Sequence, residues 1–410
     1  MKKATLNHVF RLVWSHRQRC LVPVAETHRQ GGGGPRRRAG ATLAGTLLVP
    51  VFLIPPLALA DGVKVAPGSG GTRVYEAPNG TTVVDIDKAN RQGLSHNKYT
   101  DYNVDGNGVV LNNGTLADPT QQSQLAGQIL SNANLDRSAR VILNEVVASN
   151  PSDLAGFTEV VGGKADVVLA NPYGISCAGC GFINTDRVTL TTGRPDLRDG
   201  RLQGFEVRRG QIRIHGQGLN ATNQEYFDLV ARSVSLDGNV HARDLGITAG
   251  ASDWDYDSRQ GNAASGEGEA PDVALDSTAL GGMYANRISI RATEAGVGVR
   301  MRGDAAASGS DFQITADGRI EIGGDISAQR NVALDTADDG DDALALNDAR
   351  VTARNDLTLN AEQGGARLEG GTLVANNNLT GNLDRLADTA SSAGTDNNNL
   401  RYAGGDATLR

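Results

Sequence analysis

The chain has 410 residues, 52 of them glycine, with 4% aromatic content and three methionines; that length excludes a single compact core of ordinary size and leaves several domains or one elongated repeat. So many turn formers and so few large apolar side chains exclude a bundle of close-packed helices and favour short strands between turns. Nine of the 39 bases but one of the 47 acids lie in residues 1–60, so the remainder carries 30 against 46, a net charge of −16, which excludes the cationic groove of a nucleic-acid binder.

From Ala41 to Ala60 an apolar run follows a basic segment and ends in Ala58-Leu59-Ala60. This is the pattern of a secretory signal with a small-residue cleavage site, and it places Asp61 at the start of the mature chain. Pro50, Pro55 and Pro56 interrupt the run, leaving it short of the ~20 residues that a membrane span needs. Ahead of it, Gly31 to Gly34 and Pro35-Arg36-Arg37-Arg38 read as a flexible basic linker.

Residues 61–115, dense in turn signals and carrying Tyr75, Tyr99 and Tyr102, read as an amino-terminal β cap. Within them, Asp101-Tyr102-Asn103-Val104-Asp105-Gly106 matches the opening of an EF-hand loop, but Asn112 stands where the bidentate Glu belongs. Two Asn-Pro turns follow, Asn150-Pro151-Ser152-Asp153-Leu154 and Asn171-Pro172-Tyr173-Gly174-Ile175. Proline fixes an extended-to-turn geometry without a donor, and Gly174 permits positive φ. Export removes Cys20 and leaves Cys177 and Cys180 in an oxidising route, where a disulfide closing the Ala178-Gly179 turn is the reading. A thioredoxin-like pair fits less well, since no βαβ pattern surrounds it. Zinc wants four ligands, and the mature chain adds only His96, His215 and His241, far apart in sequence.

Beyond about residue 200 the chain repeats loosely. Val332, Leu357 and Leu379 open similar short strands 25 and then 22 residues apart, with alternation such as Arg287-Ile288-Ser289-Ile290 between Gly and Asp turns. Period-two alternation at a 20–50-residue repeat predicts an all-β, right-handed parallel β-helix (solenoid) rather than helical repeats or propeller blades. At ~20 to 25 residues per coil, about 14 to 17 coils are expected, a rod of order 65 to 80 Å. Residues 252–272 lack an aliphatic run and read as a long acidic loop leaving the coil. Asp338-Asp339-Gly340-Asp341-Asp342 reads as a solvated turn, since calcium-binding roll repeats recur and this one does not. The end, Ala407-Thr408-Leu409-Arg410, shows no cap, which suggests the front piece of a longer protein or a truncated copy.

The stretch Asn171 to Thr185, with Val141-Ile142-Leu143-Asn144-Glu145-Val146 upstream, Lys164 to Ala170 leading in and Arg187 to Gly193 following, closely resembles the core of the two-partner secretion domain of filamentous-haemagglutinin-type exoproteins. Leu94 to Tyr99, Val109 to Asn113 and Ala279 to Ile288 resemble further parts of that family, and Val9 to Trp14 with Leu21 to Glu26 resembles its extended signal region. The resemblance implies a division into residues 1–60 (signal), 61–300 (secretion domain with cap) and 301–410 (start of filament repeats). It implies a partner outer-membrane β-barrel transporter, recognised through Asn150, Pro151, Leu154, Asn171, Pro172, Gly174 and Ile175. Ser152-Asp153 and Tyr173 depart from the family's usual motif residues. The exported stem is expected to serve adhesion, haemagglutination or contact-dependent toxin delivery at a host or neighbouring cell surface, carbohydrate included among its ligands, with no cofactor, metal or nucleic acid. The rival class is a polysaccharide-acting β-helix enzyme, which clustered Asp, Lys and Arg along one groove would favour; nucleophile-elbow, zincin and phosphate-loop motifs are absent.

Overall fold

The computed structural model of the chain describes residues 10–15, 20–25, 62–389 and 400–409. Two units are distinguished, residues 1–57 and 58–410. In the first, Phe10–Ser15 pairs antiparallel with Cys20–Ala25. The expected cleavage residues Ala58, Ala60 and Asp61 lie outside the described residues.

Among the described residues of the second unit every regular element is a strand. The chain visits three faces in turn, and each strand of a coil hydrogen-bonds in parallel to the strand one coil earlier. Val141–Val146, Asp166–Ala170 and Arg187–Thr191 stack on the first face. Ser152–Leu154, Ile175–Cys177 and Gln211–His215 stack on the second, and Phe157–Gly162, Cys180–Ile183 and Leu219–Ala221 on the third. This is a parallel β-helix, as the alternation and turn spacing predict. Its registers carry the repeat read from sequence, for Val332 lies opposite Leu357 and Leu357 opposite Leu379.

Strands of three to six residues cannot bury a face alone, but stacking aligns their inward positions into columns. Ile142, Val167, Val188, Phe227, Leu245 and Ile288 follow one another up the first face, all buried. Polar ladders hold the turns between the third and first faces. Asn355 Nδ2 donates to Asn331 Oδ1 at 2.7 Å and Asn377 Nδ2 to Asp356 Oδ1 at 2.7 Å, which is why Asn and Asp precede each repeat strand.

Three expectations need correction. Among the described residues the third face has thirteen strands, of which Arg73–Glu76 runs antiparallel at the end, leaving twelve in the stack; that is a rod of about 53 Å at ~4.8 Å per step, shorter than expected. The missing coils are excursions. Neighbouring strands are 20 residues apart at Phe312↔Val332 but 47, 39 and 43 apart at Ser95↔Ile142, Val188↔Phe227 and Leu245↔Ile288. Secondly, the cap is smaller than residues 61–115. Leu94–Tyr102 and Val109–Asn113 already belong to the first coil, with Tyr99 and Tyr102 in its core. The cap itself is Val63–Val65, antiparallel on Leu94–Tyr102, and the hairpin Arg73–Glu76/Thr82–Asp85.

Thirdly, residues 252–272 are not a plain loop. Ser252–Asp255 and Gln260–Ala263 form a hairpin that joins another, Arg194–Arg198/Arg201–Val207, in one four-stranded antiparallel sheet. Both hairpins leave at the corner between the first and second faces, two coils apart, and fold back as a strap over the outside of the first face. Period-two alternation places Trp254 inward between exposed Asp253 and Asp255. There Trp254, Phe205 and Tyr256 pack with Leu143, Val168 and Val230 in a second core. Gly204 lets the strap strands meet, since a Cβ there would lie 1.9 Å from the Trp254 carbonyl oxygen.

The strap's base is pinned by Arg232, whose guanidinium donates to Glu294 Oε1 at 2.7 Å and Oε2 at 3.1 Å. Those hydrogen bonds hold the Glu294 carboxyl below the usual carboxylate range. A carboxylate depressed on folding stabilises above its unfolded value of 4.5, and that stabilisation disappears as pH falls through the folded value. Glu294→Gln should therefore lower stability to urea at pH 7 and narrow the gap to wild type on acidification; equal deficits at pH 7 and pH 3 would contradict this.

Candidate functional site

Both Asn-Pro turns lie at the corner between the first and second faces in successive coils, so the helix stacks them. Asn171 is fully buried. Its Nδ2 donates to the Asn150 carbonyl oxygen at 2.9 Å and to Ser152 Oγ at 3.0 Å, and its Oδ1 accepts from the Tyr173 amide at 3.0 Å. The upper half is an Asx turn, which the Asn side chain makes by mimicking a backbone carbonyl. The lower half ties the second motif to the first. Gly174 has φ 118°, and its carbonyl accepts from the Ser152 amide at 3.0 Å.

The first motif is tied one coil further down. Asn150 Nδ2 donates to Asp101 Oδ1 at 2.7 Å, and Asn103 Oδ1 accepts from the Asp153 amide at 2.8 Å. The oxygens that resembled a calcium loop are thus hydrogen-bond partners of the corner above. On the other side the Arg209 guanidinium lies 4.4 Å from the Tyr173 ring centroid, a cation–π contact.

All seven expected residues are gathered in this column, but they divide by exposure. Asn150 and Pro151 face solvent, whereas Leu154, Asn171, Pro172, Gly174 and Ile175 are buried. Asp101, Asn103, Ser152 and Arg209 were not singled out as site residues. Only Asp101 and Asn103, as turn-forming side chains about fifty residues ahead, left any signal in the sequence.

Directly after this column, Cys177 and Cys180 are joined by a disulfide across the corner between the second and third faces, both buried. A loop this short constrains the unfolded chain little, so its main effect is to hold that corner.

Among the described residues no three His, Cys, Asp or Glu converge on a metal position. His96 meets Glu145 at 2.7 Å, His215 meets Ser176 at 2.8 Å and His241 stacks on Tyr284, each on its own stretch of surface. Acids and bases along the second face neutralise one another, as in the two-bond pair of Arg300 with Asp276. The third face presents Asn220, His241, Tyr284, Ala306, Ser327 and Thr352 outward, and its exposed Asp325 stands in register with the exposed Arg350. Nothing in this geometry favours the polysaccharide-acting enzyme.

A family model described as the TPS secretion domain matches residues 59–322, and one described as the Extended Signal Peptide of Type V secretion system matches residues 7–54. The chain is 42% identical over 366 residues to a 16S rRNA endonuclease CdiA of Enterobacter cloacae, covering 84% of this chain and 11% of that protein. It is 41% identical over 348 residues to a toxin CdiA of Yersinia pestis, covering 80% and 10%. The chain therefore spans about a tenth of the length of these curated relatives. Among solved structures it resembles the filamentous hemagglutinin secretion domain, with TM-score 0.59 and 32% identity, over 84% of this chain and 100% of that one.

Proposed function

The chain belongs to the TPS secretion domain family, and on that premise we propose that the stacked Asn-Pro corners are what a partner outer-membrane β-barrel transporter reads. The protein is exported through the periplasm and secreted or displayed at the Gram-negative cell surface. Residues 1–60 act as the export signal, cleaved after Ala60; residues 61–300 form the secretion domain; residues 301–410 begin the filament stem. This region works without catalysis.

The observation that carries the reading is the Asn171 side chain, which bonds both Asn150 and Ser152 and so makes the two motifs one structure. Because Asn171, Pro172, Gly174 and Ile175 are buried once the corner closes, they act on the transporter by shaping the stacked corner. Afterwards Asn150, Pro151 and Tyr173 remain exposed. The stacked corner then serves as the template for later coils, and folding outside the cell draws the chain outward.

The stem presents its distal part to a host or neighbouring cell, where a surface carbohydrate is one candidate ligand. The names of the matched relatives, toxins among them, favour contact-dependent toxin delivery over adhesion. A nucleic-acid partner is disfavoured by the net charge of −16 on residues 61–410.

The test is co-expression of the 410-residue chain with candidate outer-membrane transporters in a Gram-negative host, reading product in the medium. Tyr173→Ala separates recognition from folding, because Tyr173 is 40% exposed and its loss should change stability by no more than about 1 kcal/mol. Release should need one transporter and fall severalfold with Tyr173→Ala at unchanged thermal stability. Release without any transporter would overturn the secretion reading; unchanged release of the variant would remove the exposed corner from it.

A further inference from the structure

We propose that the strap is a clasp: it closes only after the chain has been delivered through residue 263, and on closing it converts the first six coils from a one-dimensional stack into one cooperative unit. In a solenoid each coil touches only its neighbours, so the end coils open independently of the rest. The strap breaks that rule here.

Its two halves are far apart in sequence, and strand Arg201–Val207 pairs with Ser252–Asp255 with Val207 opposite Ser252. The first hairpin is therefore half a sheet until two further coils have been laid down. Until then Leu143, Val168, Ala170 and Val230 form an apolar stripe on the outer side of the first face, one the closed strap buries with Phe205 and Trp254. Strands apolar on both sides, such as Asp166–Ala170, are built to be covered twice.

Polar bonds span the whole reach of the clasp. At the first coil, Asn90 Nδ2 donates to the carbonyl of Gly200 in the strap's tip at 2.7 Å. At the third, Asp166 accepts from the Tyr256 hydroxyl at 3.1 Å. Arg259, from the second hairpin, bonds Asp228 on the fifth coil at 2.9 Å and Asp244 on the sixth at 2.9 Å. Arg187, on the fourth, lies 3.5 Å from Asp228 and 3.8 Å from the Tyr256 ring centroid. Asp228 is almost wholly buried; Arg187 stands beside it without hydrogen-bonding, so Arg259 supplies the arginine hydrogen bonds to it, and losing them while the carboxylate stays buried is unfavourable, which couples the second hairpin's closure to the fifth coil. Gly246 leaves the space for the Arg259 contact, since a Cβ there would sit 2.5 Å from Asp228 Oδ1.

In the secretion reading, a closed clasp stops early coils from unravelling and slipping back while the rest of the chain is still crossing. That consequence rests on the proposed function; the coupling itself does not, and its test needs no transporter. The full chain, refolded from denaturant, is compared with Arg259→Ala and Trp254→Ala by amide hydrogen exchange read by mass spectrometry.

Peptides within residues 94–170 should exchange at least about tenfold faster in both variants, in step with those from 194–263, while peptides beyond 312 keep wild-type protection. Acceleration confined to 194–263 would overturn the proposal and make the strap a decoration. If Arg259→Ala does not refold, Arg259→Lys retains the charge without the two-pronged contact and should show the same concerted pattern at smaller amplitude; a purely local effect in it would be equally decisive against.

Discussion

Asn171→Ala should destabilise the early coils by about 2–4 kcal/mol, because it removes three hydrogen bonds made by a fully buried side chain. The Asn150 carbonyl and the Tyr173 amide each lose this partner, and the two Asn-Pro corners are no longer joined. Local equilibria shift by a factor of about ten for every 1.4 kcal/mol, so the corner would be open much of the time. Release through the transporter should fall severalfold or more, and urea unfolding followed near the corner should begin at lower denaturant. Full release with the corner destabilised would mean that the transporter needs neither motif in stacked form. A stable corner with lost release would place Asn171 in direct recognition instead.

Phe312→Ala should cost about 3–5 kcal/mol, as large aromatic truncations in cores do, and yet leave release nearly intact. Phe312 is fully buried, in register between Ile288 below and Val332 above. It lies beyond the strap, where each coil depends on its neighbours alone. The damage should therefore stay near residues 290–335, seen as a protease-sensitive site in a product that still reaches the medium. Equal loss of release for Phe312→Ala and Asn171→Ala would contradict the division between a recognised, clasped front and a passive stem. Together the pair asks whether secretion follows overall stability or one corner.

The geometry of the two Asn-Pro corners was legible because its signals are local. Asn-Pro turns, Gly174 at positive φ and a Cys-x-x-Cys turn each state a geometry within five residues, and the structure stacks the first two motifs in adjacent coils. The burial of Asn171 was not legible. An Asn after an apolar strand and before Pro reads as an exposed turn, and only a coil below it, offering the Asn150 carbonyl and Ser152 hydroxyl, makes a buried amide favourable. Asp101 and Asn103 were ambiguous for the same reason, since spacing alone cannot say whether their oxygens face a cation or the next corner.

The sequence by itself determined the period, the inward residues and the corners of the β-helix, because alternation and turn chemistry act between neighbours along the chain. Val332, Leu357 and Leu379 pair as their spacing required. Only the tertiary structure decided the number of coils, the extent of the cap and the existence of the strap. Those depend on which strands meet across gaps of 39 or more residues, and the Asp253-Trp254-Asp255 alternation names an inward side without naming what lies beneath it. What lies beneath is the outer side of the first face, where Leu143, Val168 and Val230 needed a cover that no stretch of sequence nearby supplied.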